Sequence, residues 1–197
     1  MLIGITGGIG SGKSTICRAL AAAGYPVYDT DTEAKRLIVE DEEVRAKMIA
    51  LFGPDIYDED VYFTDRVAAQ VFADPAKLAA LNAIVHPAVV ADVRRWANTT
   101  PCPLMGKGDG ERGLFVESAI LYTSGLAELC DKVVWVDAPE EVRIARTIKR
   151  DGTDINKVRA RIRAQRDDRS RADLVINNDG KTNIKDIILW ILKNCKN

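Results

Sequence analysis

The chain has 197 residues, 47% of them hydrophobic and 29% charged, with a formal net charge of −1. A chain of this length buries a core without staples, which predicts one globular unit with room for a small inserted lobe. The near-zero charge excludes a global field that would draw it to nucleic acid or to a membrane surface. Cys17, Cys102, Cys130 and Cys195 lie far apart with no C-x-x-C pair, so zinc and disulfide spacings are absent and reduced thiols are expected. Met1-Leu2-Ile3-Gly4-Ile5 is apolar but runs straight into glycines, unlike a signal peptide. No apolar run approaches the ~18 residues of a membrane span, and a cytoplasmic protein is expected.

In chain order, Leu2 to Thr6 reads as a short buried strand. Lys13 to Ala23 follows as a helix, with Ile16 and Leu20 on one face and Gly24 as its C-cap. Pro26 to Tyr28 reads as a second strand. Thr30-Asp31-Thr32-Glu33 has the capping-box pattern, with Thr30 as the cap of a helix running to Val39. Phe52 to Thr64 reads as a loop. Residues 64 to 98 read as mostly helical, with Leu78, Leu81, Val85, Val89, Val93 and Trp96 forming a buried stripe. A Pro/Gly-rich segment from Thr99 to Gly113 breaks that pattern. Leu114 to Glu117 and Lys132 to Asp137 read as buried strands, each followed by a helical segment. Arg143 to Arg171 reads as helical and basic, Ala172 to Asn177 as a last strand, and Ile184 to Leu192 as a closing amphipathic helix. Short apolar strands alternating with helices predict an α/β fold with a parallel sheet covered on both faces. The core is expected at about 1–58, 114–142 and 172–197, with an inserted helical lobe at about 59–98 and a lid at about 143–171.

Gly7-Gly8-Ile9-Gly10-Ser11-Gly12-Lys13-Ser14 fits G-x-x-x-x-G-K-S/T, between a predicted strand and a predicted helix, the context that confirms a phosphate-binding loop. Glycines let backbone N–H groups turn around phosphate oxygens, and the helix N-terminus adds free donors. Gly8, Ile9, Gly10, Ser11, Gly12, Lys13, Ser14 and Thr15 are thus the candidate ATP-binding residues. Lys13 would neutralise charge on the β- and γ-phosphates, and the Ser14 hydroxyl would ligate Mg²⁺. A G-x-G-x-x-G dinucleotide loop does not fit here. Asn156-Lys157-Val158-Arg159 fails the last position of the N-K-x-D motif, which argues against a GTPase.

Asp29 and Asp31 follow the second predicted strand. Ligands of open α/β sheets bind at the carboxyl ends of the strands, which predicts both aspartates close to the glycine loop. A carboxylate there either takes a proton from an attacking hydroxyl or merely favours the positive end of a helix. Arg143 to Arg171 holds eleven Lys/Arg against four Asp, a local balance of +7. No aromatic residue interrupts this stretch, so base stacking on nucleic acid has no support. Arg143, Arg146 and Arg150 share one helical face, either closing over ATP or simply solvated, and Asp151-Gly152-Thr153-Asp154 would be the bend of a lid. His86, the single histidine, precedes Pro87 and reads as either structural or catalytic, with Asn82 one turn earlier as a possible polar partner. Glu117 either holds a metal-bound water or pairs with an arginine.

The order of these features resembles the dephospho-CoA kinases over roughly residues 2 to 185. The resemblance rests on Thr6 to Thr15, Val27-Tyr28-Asp29-Thr30-Asp31, Phe52-Gly53, Asp65-Arg66 and Val71-Phe72. It continues through Leu81-Asn82-Ala83-Ile84-Val85-His86-Pro87, Val136-Asp137-Ala138-Pro139, Arg146, Arg150, Arg161-Ile162 with Gln165, and Ala172-Asp173 to Gly180. It implies a P-loop kinase fold of three α/β/α layers, with a five-stranded parallel sheet, an inserted helical acceptor-binding lobe and a lid. It further implies transfer of the ATP γ-phosphoryl to the 3′-hydroxyl of dephospho-CoA, with Mg²⁺, no nucleic acid or membrane partner, and a monomer favoured. Asp31 would be the general base, with Lys13, Arg146 and Arg150 also catalytic. Asp29, Arg66, Asn82, His86 and Glu117 would bind the acceptor, and Asn178 and Gly180 would lie near the ATP adenine. Glu117-Ser118-Ala119-Ile120-Leu121-Tyr122-Thr123 departs from the family's D-x-P-L-L-F-E in lacking the proline and the final glutamate. The alternatives are another small-molecule or nucleoside-monophosphate kinase, and a non-catalytic ATP-binding regulator.

Overall fold

The computed structural model describes residues 1–101 and 113–195. Most of the Thr99–Gly113 segment therefore lies outside the described residues. The chain divides into two compact units, Met1–Tyr28 with Ala97–Asn197, and Asp29–Trp96.

The first unit is built on a five-stranded parallel sheet in the order β2-β5-β1-β6-β7. β1 (Leu2–Gly7), β2 (Val27–Asp29), β5 (Leu114–Glu117), β6 (Lys132–Asp137) and β7 (Leu174–Asn177) form it. β1 lies at the centre, with Leu2 opposite Leu114 of β5 and Thr6 opposite Trp135 of β6. Side chains alternate faces along a strand. Ile3, Ile5, Phe115, Val134, Val136 and Ile176 thus share one face, packed against Ile16 and Leu20 of α1 (Lys13–Ala22) and Ile187, Ile188 and Ile191 of α8 (Ile184–Asn194). Each fully buried Ile or Leu contributes about 1.5–3 kcal/mol, so this stripe fixes α1, and with it the phosphate loop, onto the central strand.

The other face is covered differently from the expectation. No α-helix follows β5; residues 119–125 form turns and Leu126–Leu129 a 3-10 turn. Ser and Thr side chains explain this by competing for backbone groups. Ser118 Oγ accepts from Ile120 N at 3.3 Å, Thr123 Oγ1 donates to Ile120 O at 3.2 Å, and Ser124 Oγ donates to Leu121 O at 3.3 Å. This segment lies tight on β1: a Cβ at Gly4 would stand 2.7 Å from Leu121 Cδ2 and 3.0 Å from Cys130 Sγ.

The basic stretch is two helices rather than one. α6 (Glu140–Asp151) ends at Gly152 (φ 61), and α7 (Ile155–Ala164) starts under Asp154, whose carboxylate accepts from Asn156 N at 2.7 Å. The bend falls on the expected Asp151–Asp154 segment.

The second unit holds α2 (Thr30–Glu40), α3 (Glu42–Phe52), a hairpin of β3 (Tyr57–Asp58) and β4 (Val61–Tyr62), α4 (Thr64–Ala73) and most of α5 (Pro75–Thr99). It begins at Asp29 rather than near residue 59, because Val44, Met48 and Phe52 of α3 share one core with Ile56 and Val67, on which Leu81 and Ile84 of α5 pack. The Phe52–Thr64 stretch is thus not simply loop: Tyr57 and Tyr62 pair across the hairpin with ring centroids 5.4 Å apart. The α2 cap is Asp29 and not Thr30; its carboxylate accepts from Asp31 N and Thr32 N at 3.0 and 3.3 Å. The helical region from 64 splits at Asp74, which accepts from Ala76 N at 2.9 Å and starts α5.

α5 corrects one further expectation. With 25 residues and an 18-residue window of mean hydropathy 1.3, it is long and apolar enough, by length and composition only, to cross a membrane. Val85, Val89 and Val93, at four-residue steps, are its buried face, while Leu78 stays exposed.

Candidate phosphoryl-transfer site

The loop between β1 and α1 is shaped by its neighbours as much as by its own glycines. Gly10 (φ 74) and Gly12 (φ 92) are left-handed, where a side chain is strained. A Cβ would also collide with the Arg143 carbonyl at Gly10 and with the Asn178 amide nitrogen at Gly12. The loop folds on itself through Ser11 N to Gly8 O at 3.1 Å, and Gly12 O starts α1 by accepting from Thr15 N at 3.0 Å.

Side chains from three later elements grip this loop. Arg143 Nε donates to Ile9 O at 2.9 Å, and Ile9 N donates to Gln165 Oε1 at 2.7 Å. Arg146 donates to Ser11 O at 3.1 Å and to Asn178 O at 3.0 Å. The buried Asn178 amide donates to Ser11 O at 2.8 Å. Asn178 is in turn placed by its backbone N–H on Asp137 O at 2.7 Å, just past the β6–β7 pairing.

A cavity of about 520 Å³ opens beside the loop. Gly12, Lys13, Thr15, Arg146, Arg150, Asn178 and Gly180 are among its walls. The predicted phosphate residues are thus brought together with the two predicted adenine-side residues. Arg18 and Thr147 also line it, and neither stood out in the sequence. Arg150 is engaged by Asp151 through two hydrogen bonds of 2.7 and 3.1 Å, and Arg161 binds the same carboxylate at 3.2 Å.

On β5, Glu117 is buried and accepts from Ser14 Oγ at 2.5 Å. A hydroxyl beside a carboxylate is a hard oxygen pair that suits Mg²⁺, which keeps waters and takes the rest of its shell from phosphates. Among the described residues no group of three His, Cys, Asp or Glu is placed to hold a metal ion.

The remaining predicted residues belong to the second unit. Asp29 caps α2, and Asp31 stands in its first turn. The Arg66 guanidinium donates to Asp55 O and lies 4.1 Å above the Phe63 ring. Asn82 and His86 sit one turn apart on α5, and no hydrogen bond joins them. Burial lowers the His86 pKa from 6.5 by disfavouring the charged ring.

A parallel sheet carrying this loop at the end of its central strand, a helix headed by Lys13 and Ser14, and a nucleoside-sized cavity beside them define a P-loop kinase. A family model described as dephospho-CoA kinase matches residues 1–184. A dephospho-CoA kinase from Porphyromonas gingivalis is 41% identical over 170 residues, covering 86% of this chain and 80% of that protein. A crystal structure from Thermus thermophilus aligns over 100% of this chain and 98% of its own, with 32% identity and a TM-score of 0.79. A dephospho-CoA kinase from Campylobacter jejuni, at 22% identity, shares the fold with a TM-score of 0.66 over 98% of this chain and 94% of its own. The chain belongs to the dephospho-CoA kinase family, whose members are ATP-dependent kinases.

Proposed function

We propose that this enzyme transfers the γ-phosphoryl group of ATP to the 3′-hydroxyl of dephospho-CoA, giving coenzyme A and ADP, the last step of coenzyme A formation. The observation that carries the reading is the meeting of Lys13, Ser14 and Glu117 with the cavity walled by Asn178 and Gly180, in a chain of this family. Lys13 and the loop N–H groups hold the phosphates and offset charge as the bond between the γ-phosphorus and the β–γ bridging oxygen breaks. The acceptor 3′-oxygen forms the new bond, and its proton passes to the Asp31 carboxylate. Ser14, with Glu117 behind it, would hold Mg²⁺, which supplies charge neutralisation on the phosphates. Arg146 and Arg150 act from the α6 side, while Asp29, Arg66, Asn82 and His86 serve acceptor binding. Closure of the α6–α7 segment as a lid would expel water that otherwise hydrolyses ATP.

The reading carries a cytoplasmic monomer. Incubation with ATP, Mg²⁺ and dephospho-CoA tests the reaction: coenzyme A and ADP are expected in equal amounts. Nucleoside monophosphates offered as competing acceptors should not be phosphorylated at comparable rates. Phosphorylation of those acceptors alone would reassign the substrate, and ATP binding without turnover would leave a regulator.

A further inference from the structure

A second cavity, of about 290 Å³, lies in the same unit and shares Thr6 and Gln165 with the surroundings of the phosphate loop. Thr6 immediately precedes Gly7, and Gln165 is the residue that accepts from Ile9 N. Two of its lining side chains carry polar atoms that are buried and have no hydrogen-bond partner among the described residues, Tyr122 Oη and Trp135 Nε1. Trp135 is 6% exposed, on β6 directly opposite Thr6. Its indole nitrogen can only donate, whereas a tyrosine hydroxyl donates and accepts. Burial raises the Tyr122 pKa, so the hydroxyl keeps its proton at neutral pH. The ring is held in place by the Arg171 guanidinium, 4.2 Å from its centroid. Arg171 is itself tied to the buried Asp168, another wall of the cavity, at 3.4 Å.

Buried polar atoms without partners are costly, and a cavity that keeps two of them beside a reacting centre is built for a ligand that supplies the partners. The ligand edge must offer an acceptor to Trp135 and suit a group that both gives and takes at Tyr122. Adenine offers this combination, with a ring-nitrogen acceptor at N7 next to the N6 amine donor. On the proposed reading the ATP adenine follows its own phosphates into the cavity walled by Asn178 and Gly180. In the acceptor, the adenine sits on the same ribose as the reacting 3′-hydroxyl, whereas the pantetheine arm is separated from that ribose by the pyrophosphate. A cavity joined to the loop through Thr6 and Gln165 is within reach of the former.

We propose that Trp135 and Tyr122 form the subsite that reads the adenine base of the acceptor nucleotide. The inference rests on dephospho-CoA being the acceptor. Tyr122→Phe deletes one oxygen and keeps the ring under Arg171, so it is the variant least able to disturb folding.

Steady-state kinetics are measured with ATP and either dephospho-CoA or its analogue carrying unsubstituted purine in place of adenine, which keeps N7 but has only hydrogen at C6 and so offers Tyr122 neither a donor nor an acceptor. The wild-type enzyme is expected to favour adenine by about three- to tenfold in kcat/KM, the loss of one neutral hydrogen bond. Tyr122→Phe should abolish that preference, and Trp135→Phe should raise KM for dephospho-CoA by a similar factor, with KM for ATP unchanged in both. An active wild-type enzyme that ignores the base, or a Tyr122→Phe enzyme that keeps the full preference, overturns the subsite. In that case water satisfies the two buried groups. A wild-type enzyme that does not phosphorylate dephospho-CoA at all sinks the parent reading, and this one with it.

Discussion

The Ser14 hydroxyl donates a hydrogen bond to the Glu117 carboxylate at 2.5 Å, joining the start of α1 to the end of β5. Glu117 thereby orients the Ser14 hydroxyl proposed to hold Mg²⁺. Glu117→Gln keeps a hydrogen-bond acceptor but loses the charge. The Mg²⁺ concentration giving half-maximal turnover should rise about 10- to 100-fold, the usual effect of losing an outer-shell carboxylate. A Mg²⁺ titration of initial rates measures this, and an unchanged midpoint would limit Glu117 to packing.

Asp31→Asn should lower turnover by about 10²- to 10⁴-fold while ATP binding persists, since only the proton acceptor is lost. Kinetics alongside ATP binding by calorimetry separate the two effects. Near-normal turnover would move the base elsewhere, with Asp29 next in line.

Asp29 has a job of its own as the α2 cap. Asp29→Ala should destabilise the protein by about 0.5–2 kcal/mol, while Asp29→Asn, an equally good cap, should leave stability nearly unchanged. Urea unfolding of the two variants gives the comparison; equal losses would show that charge rather than capping matters there.

Asn178 holds Ser11 from inside the protein. Asn178→Ala leaves the Ser11 carbonyl to Arg146 alone, and should cost about 0.5–1.5 kcal/mol of stability for the lost hydrogen bond. KM for ATP should rise with it, because the loop loses one of its anchors. Thermal unfolding with and without ATP would show a smaller nucleotide-induced shift in the variant than in the wild type.

His86 sets an acid sensitivity. Its folded pKa lies below the 6.5 of the unfolded chain because burial opposes the imidazolium. As pH falls through 6.5 the unfolded state takes the proton first, so stability is lost between that value and the lower folded one. His86→Gln removes this term. Its urea midpoint should fall less than that of the wild type between about pH 7 and about pH 5; parallel curves would assign the acid sensitivity to other groups.

Much of the fold is written locally. β1, α1, β5, β6 and α8 are apolar runs with clear periods, and the glycine loop carries its own spacing. The capping assignment missed by one residue because Asp29 and Thr30 are both good caps, and only the turn geometry chooses between them. The helix expected after β5 failed because three hydroxyl side chains took its backbone groups. The roles of Gln165, Trp135 and Tyr122 were not legible, since each depends on a partner or a gap more than a hundred residues away or on the opposite side of a cavity. Arg146 was legible as part of an arginine face, but its hold on Ser11 and Asn178 was not.

Ile9 is held at both of its peptide groups, by Arg143 at the carbonyl and by Gln165 at the N–H. The two side chains come from opposite ends of the α6–α7 segment, so the clasp exists only while both helices are docked. In amide hydrogen exchange, the Ile9 proton should therefore exchange slowly before any nucleotide arrives, and at a rate that reports the undocking of α7 rather than the mobility of a glycine loop. That single amide would time the opening of the proposed lid.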